Sequence, residues 1–142
     1  MFEPSRRMLG VSALSALAIP ALSWAGETAA IRSATRAFEL TFLKAQDGDT
    51  TSLARFITLN WFEMDRIAVE RGIITEYRML ISNEADQPWD VLVIVGYPSE
   101  AGYSGVTAEF EAIRTAHATA TVDGKTLGQL GAIVSSRRLI PG

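Results

Sequence analysis

The sequence has no cysteine and a single histidine among its 142 residues. Without cysteine the chain has no disulfides, no thiolate-ligated zinc or iron–sulfur site, no thiol nucleophile and no lipoprotein anchor. One histidine is too few for a histidine-based zinc site and leaves only carboxylates as metal ligands. We therefore expect no metal site.

Strong charge of one sign is also missing. Charged residues make up 20% of the chain and the net charge is −3. An acidic domain without a basic stripe lacks the counterion release that drives nucleic-acid binding. Gly124, Gly128 and Gly131 do not form a phosphate loop, because no strand leads through them into a helix in the required pattern. Nucleic-acid and nucleotide binding are therefore not expected.

An uncharged, Ala- and Leu-rich run occupies residues 8–22. Arg6 and Arg7 precede it, and Ser23-Trp24-Ala25 has the small residues of a cleavage site. This pattern predicts a cleaved signal peptide over residues 1–25, and the paired arginines resemble a twin-arginine export signal. An uncleaved anchor is the alternative, although the run is shorter than the roughly 18–20 residues of a membrane span. We expect a periplasmic or secreted protein with no stable membrane anchor after cleavage.

Residues 26–35 read as a flexible lead-in, and residues 36–142 as one domain. Alternating polarity or continuous apolar character predicts strands over residues 36–44, 73–82, 89–97 and 132–140. Helical periodicity predicts a long helix over residues 51–71, capped by Asp49 or Thr50 and ended by Gly72, and a second over residues 99–117, capped by Ser99. A short turn over residues 127–130 precedes the last strand.

This order of elements, strand–helix–strand twice over, resembles the ferredoxin-like α+β fold. Right-handed crossovers place both helices on one face of a four-stranded antiparallel sheet and leave the other face bare. We expect this bare face to be mixed in polarity and to face a second sheet. The residues predicted on it are Glu39, Thr41, Glu76, Arg78 and either Ser135 or Arg137.

The element order and the long first helix, with Phe56-Ile57-Thr58-Leu59-Asn60-Trp61-Phe62-Glu63-Met64, are similar to the dimeric α/β-barrel superfamily. The resemblance covers residues 36–140. It implies a homodimer in which two sheets enclose a cavity. The superfamily includes cofactor-free monooxygenases, haem-degrading and haem-peroxidase proteins, and lactone isomerases, so the resemblance implies no single reaction.

Strand alternation gives three candidate catalytic residues, Glu39, Glu76 and Arg78. If the faces that carry them point into the barrel, two carboxylates and a guanidinium line one cavity. A low dielectric there raises the pKa of a glutamate toward the range of a general base. The alternative is that Arg78 neutralises Glu76 or Glu39 as an ion pair at the dimer interface.

Four residues are candidate ligand contacts: Thr41, Tyr77, Trp89 and His117. Thr41 shares the predicted face of Glu39. The resemblance implies Asn, Trp, Tyr and Arg side chains around a phenolate substrate, and this chain offers those types at Asn60, Trp61, Tyr77, Arg78 and Trp89. Core packing is the alternative role for the aromatic residues.

His117 ends the second predicted helix, where haem-degrading members of the superfamily place a ligating histidine. The alternative is a cation stabilised by the helix dipole. The first strand lacks the asparagine, and the second helix the tryptophan, that those members use. We therefore expect no cofactor, with haem as the alternative.

The charged residues late in the first predicted helix, Asp65, Arg66, Glu70 and Arg71, are interpreted as a solvated face with local ion pairs. The sequence thus predicts an exported dimeric barrel that binds a small apolar or aromatic molecule, with no assigned catalysis. The alternative function is a cofactor-independent monooxygenase or isomerase.

Overall fold

One antiparallel sheet and a layer of helices make up residues 34–142, which are the residues that this computed structural model describes. The strands are β1 Ala37–Ala45, β2 Glu76–Ile81, β3 Val91–Tyr97 and β4 Gly131–Leu139. The helices are α1 Thr50–Leu59, α2 Trp61–Glu70, α3 Thr107–Ala116 and the one-turn α4 Leu127–Leu130, and a 3₁₀ turn spans Gly102–Gly105. The predicted signal peptide lies outside the described residues. In the described part, the helices are too short and too polar to cross a membrane.

The strand order β2-β3-β1-β4 confirms the ferredoxin-like fold. β1 pairs antiparallel with β3 and β4, and β2 pairs antiparallel with β3. Two strand–helix–strand units produce this order, with β1 and β3 adjacent in the centre. The predicted α+β class and topology are therefore correct.

Two apolar clusters join the sheet to the helices. One holds the inner residues of β1 and β3 against α1 and α4, and includes Leu43, Val91, Leu53, Ile57 and Leu130. The other holds Ala37 and Tyr97 against α2 and α3, through Met64, Phe110 and Ile113. The sheet residues in both clusters alternate along their strands, so α1, α2 and α3 cover the same face.

The single long helix predicted over residues 51–71 is two helices, with a break at Asn60. Asn60 has φ −117° and ψ −65°, and the residue is 2% exposed. Its amide donates to the carbonyls of Phe56 (3.0 Å) and Ala120 (2.8 Å), and its oxygen accepts from the Ala120 N–H (2.7 Å). The break therefore coincides with a buried amide that holds the loop after α3. The predicted start is correct, since Asp49 accepts from the Ser52 N–H, and the chain turns at Gly72 with φ 73°.

The second predicted helix starts later than expected. Ser99 is not its cap, because the chain first makes the 3₁₀ turn and α3 begins at Thr107 after Val106, which makes no side-chain cap bond. Gly102 explains the delay. Its φ is 61°, and a β-carbon there would collide with the Glu39 carboxylate, which accepts a hydrogen bond from the Tyr103 N–H at 2.8 Å. The turn is thus shaped to reach a carboxylate on β1.

The polarity of β1 is opposite to the prediction. Glu39 and Thr41 lie on the helix-covered face with Leu43, whereas Phe38, Leu40 and Phe42 lie on the bare face. The prediction assumed that the apolar alternation of β1 would face the helices, but Glu39 is needed to hold the 3₁₀ turn. The predictions for β2 and β4 are correct, because register places Glu76, Arg78, Ser135 and Arg137 opposite the bare-face residues of β1 and β3.

Candidate functional site

A cavity of about 260 Å³ lies between the sheet and the helices α2 and α3. Inner residues of β1 and β3 form its floor. Side chains from α2, the 3₁₀ turn and α3 form its walls. Its lining residues are Thr41, Trp61, Met64, Asp65, Val93, Val95, Tyr97, Tyr103, Phe110 and Arg114. It is thus an apolar and aromatic cavity with few polar groups, which is the usual composition of a small-molecule site.

Asp65 is the polar group buried most deeply in this lining. It is 4% exposed, and no residue in 34–142 donates a hydrogen bond to its carboxyl. Burial raises the pKa of Asp65 from 3.8 to about 7. A buried carboxyl without a donor is unusual, since most buried polar groups find a partner. Asp65 therefore presents an unsatisfied acid to the cavity.

Aromatic side chains surround this acid. Trp61 precedes it by one helical turn, Tyr97 contributes from β3, and Tyr103 and Phe110 meet edge to face with ring centres 5.8 Å apart. Burial raises the pKa of Tyr97, and the charges of Glu39 and Asp65 raise it further, so the three groups lie within electrostatic reach of one another. The Tyr97 phenol therefore stays protonated.

The rim of the cavity holds a cation that already has a partner. Arg114 donates to Glu111 at 2.8 Å, and Tyr103 donates its phenol proton to the same carboxylate at 2.7 Å. The Arg114 guanidinium also lies over the Phe110 ring, 5.7 Å from its centre. Because the Arg114 side chain is 54% exposed and paired with Glu111, it does not neutralise Asp65.

The predicted catalytic residues are not brought together. Glu39 lies on the helix-covered face and holds the 3₁₀ turn, while Glu76 and Arg78 lie on the bare face. Arg78 donates to Glu76 at 3.0 Å, and the Thr35 hydroxyl donates to the same carboxylate at 3.0 Å. The expectation that all three share one face is therefore wrong, and the alternative of an Arg78–Glu76 ion pair agrees with the geometry.

The predicted ligand contacts are spread over the molecule. Thr41 lines the cavity. Tyr77 packs on Phe62 with ring centres 4.8 Å apart, and Trp89 packs on Phe42 at 5.3 Å. His117 lies at the end of α3, as expected, with its Nε2 2.9 Å from the Asn60 oxygen. That oxygen also accepts from the Ala120 N–H, so the Nε2 of His117 must donate and carries the proton.

The sequence interpretation missed Asp65, which it placed on a solvated face. Arg66 does form the expected local pairs, with Glu63 and Glu70 at 2.6 Å each. Asp65 takes no part in them. The spacing of Asp65 indicates its burial. Asp65 follows Trp61 by four residues and precedes Ala68 by three, which puts it on the apolar stripe of the helix. Within residues 34–142, no group of three acidic or histidine side chains is placed to hold a metal ion.

Comparison with known proteins identifies no family. No protein-family model matches the chain, and no curated protein does. Among solved structures, the chain is similar to a dimeric protein of unknown function and ferredoxin-like fold from Bacteroides fragilis NCTC 9343. The two share 9% identity with a TM-score of 0.41, over 72% of this chain and 91% of the other. A similarity this distant says nothing about the assembly or ligand of this chain, whose fold is assigned from its own topology.

Proposed function

We propose that this protein binds a small, largely apolar or aromatic molecule in the cavity between the sheet and α2–α3. The observation that supports this most strongly is the unsatisfied Asp65 carboxyl among aromatic walls. A core that served only for packing would gain by replacing this acid with an apolar residue, since burying an unpaired polar group costs about 1–3 kcal/mol. A bound molecule that offers a polar group offsets this loss.

The cavity volume limits the size of the molecule. Ligand pockets commonly measure about 300–1,000 Å³, and this one measures about 260 Å³. It therefore suits a molecule of one aromatic ring with a short polar substituent. Because β1 turns Thr41 to the helix-covered face, the site belongs to one protomer and not to a space between two sheets.

The proposal retains two features predicted from the sequence. One is a homodimer formed through the bare face of the sheet, which is supported by its apolar residues. The other is export by way of residues 1–25. Neither is needed to form the cavity, but together they describe a small dimeric binding protein that works outside the cytoplasm.

A second candidate function is a cofactor-independent isomerase, and one observation favours it. The pKa of Asp65, about 7, is close to what a general base needs at neutral pH, and the acid faces the space a substrate would fill. For an isomerase of this kind, the catalytic base would be Asp65, and not Glu39 or Glu76 as the sequence suggested.

The binding proposal predicts that filling the cavity abolishes binding. Benzyl alcohol is a suitable probe, because it is neutral and has one ring with one hydroxyl. We expect it to bind the wild type in a calorimetric or NMR titration, and we expect Thr41→Phe to abolish binding by occupying the floor. Thr58→Phe is the matched control, since Thr58 is an exposed residue of α1 outside the lining. Equal binding by T41F and the wild type would contradict the proposed site.

A further inference from the structure

The cavity is short of one positive charge. Asp65 on α2 is the acid in its lining, and Tyr97 and Tyr103 are the lining tyrosines. Glu39 on β1 is outside the lining, although its charge raises the pKa of Tyr97. The one cation in the lining, Arg114, is paired with Glu111 at 2.8 Å. Glu39 accepts the Tyr103 N–H and is satisfied in part, whereas Asp65 has no donor within residues 34–142. The group that would complete the site is therefore a buried cation with hydrogen-bond donors.

Its walls suit a cation as well. The faces of Trp, Tyr and Phe rings carry negative charge density and attract cations within about 6 Å. Four such rings line the space, from Trp61, Tyr97, Tyr103 and Phe110. The placement of Arg114 over Phe110 already shows one of these rings holding a cation. An anionic ligand would instead meet Asp65 in a low dielectric and be repelled.

We propose that the occupant is a small organic amine, and that its ammonium group pairs with Asp65 while its apolar part lies among the aromatic walls. This inference rests on the proposed binding function and deepens it by naming the ligand class. A charge-assisted hydrogen bond between ammonium and carboxylate supplies the donors that Asp65 lacks. Contacts with the aromatic ring faces and the Asp65 carboxylate in turn replace part of the hydration of the ammonium group.

The pH dependence of binding follows from this pairing. Above about pH 7, Asp65 is ionised and attracts the ammonium group. Below that pH, the carboxyl takes a proton and the attraction is lost. Arg114 at the rim pairs with Glu111, and the pKa values of Tyr97 and Tyr103 are raised, so Asp65 is the lining group that changes charge in this range. Of the other charged groups nearby, Glu39 and its cross-strand neighbour Arg138 lie at the 3₁₀ turn, and Glu63 and His117 line a separate pocket between α2 and α3.

The test compares two probes of equal size, benzylamine and benzyl alcohol, by calorimetric titration at pH 8.0 and pH 5.5. At pH 8.0 the amine is still protonated, as alkylamines are below about pH 10. We expect benzylamine to bind about tenfold or more tightly than benzyl alcohol at pH 8.0. This preference should shrink at pH 5.5. Asp65→Asn should bring the ratio of the two affinities close to one at both pH values, whatever its effect on benzyl alcohol alone.

The control is Asp123→Asn, the same change at an exposed loop residue outside the lining, and it should behave as the wild type. Circular dichroism establishes that both variants are folded. If benzyl alcohol binds as tightly as benzylamine, the amine inference is wrong while the binding function stands. If neither probe binds, both are wrong. A preference that survives in D65N would also overturn the inference, because the cation would then be recognised elsewhere.

Discussion

Asp65 makes the stability of the folded chain depend on pH. In the unfolded chain this carboxyl loses its proton near pH 3.8, whereas in the folded chain it keeps the proton up to about pH 7. Between these values the folded state holds one more proton than the unfolded state, so a rise in pH lowers the free energy of unfolding. Above pH 7 both states have lost this proton, so the free energy of unfolding no longer changes with pH through Asp65.

Asp65→Asn should therefore stabilise the protein at neutral and alkaline pH. Asparagine does not titrate, so the difference in the free energy of unfolding between D65N and the wild type should grow from pH 4 to pH 7. It should reach about 3–4 kcal/mol, as expected for a pKa raised by about three units. Urea denaturation from pH 4 to pH 8 measures this. Curves that stay parallel, as they should for D123N, would show that Asp65 is not buried as an unpaired acid.

The spacing of Asp65 shows what a sequence pattern can and cannot reveal. Its position between Trp61 and Ala68 on the apolar stripe was visible in the sequence. Its neighbours Arg66 and Glu70 made the segment look like a solvated charged face. Helical periodicity gives the direction of a side chain, but whether a cavity or solvent lies in that direction depends on α3 and β3, which are distant in sequence.

At the scale of elements, Asn60 ties the α1–α2 break to the loop after α3. Its amide group contacts Phe56, Ala120 and His117, and it is 2% exposed. The Asn60 side chain donates a hydrogen bond to the Ala120 carbonyl and accepts one from the Ala120 N–H, as the backbone of a neighbouring strand would. The helix break and the path of residues 117–120 are therefore set by one residue.

Asn60→Ala should destabilise the domain by roughly 2–3 kcal/mol, because it leaves polar groups of a buried loop without partners. Thr58→Ala, which removes only an exposed hydroxyl bonded to Ala54 at 3.0 Å, is the control and should cost little. Urea denaturation gives the free energies, and amide hydrogen exchange at Ala120 reports the loop. Unchanged exchange at Ala120 in N60A would contradict this role for Asn60.

The local sequence predicted where most helices and strands begin and end. It did not predict which side chains of β1 lie on the helix-covered face and which on the bare face. Alternation predicted the strand and the two sets of residues, but assigned Glu39 and Thr41 to the bare face. The actual choice depends on a long-range hydrogen bond from Tyr103 to Glu39 and on the close approach of Gly102. No local pattern in β1 encodes these contacts.

At the scale of the whole molecule, the bare face is more apolar than the sequence suggested. Phe38, Leu40 and Phe42 pair across the sheet with Gly96, Ile94 and Leu92. Leu80 and Leu139, at the two sides, are 49% and 51% exposed. No element within residues 34–142 covers this face. Contiguous apolar surface of this kind marks an interaction site, which agrees with a proposed dimer of sheets.

Leu40→Arg should convert that dimer to a monomer, since it places an unpaired charge at the centre of the interface. Sedimentation velocity or light scattering over a range of concentrations measures the change in mass. Arg55→Leu, which removes a charge at an exposed position of α1 away from the bare face, should leave the dimer intact. A wild type that is monomeric at all concentrations would contradict the proposed pairing.

Within residues 34–142, the cavity and the bare face are two apolar surfaces that could bind a small molecule, and we assign the ligand to the cavity. Intermolecular NMR contacts between bound benzyl alcohol and protein side chains distinguish them directly. We expect contacts to Trp61, Met64 and Phe110, with none to the bare face. Contacts to Leu40 or Leu92 instead, or none at all, would contradict the account.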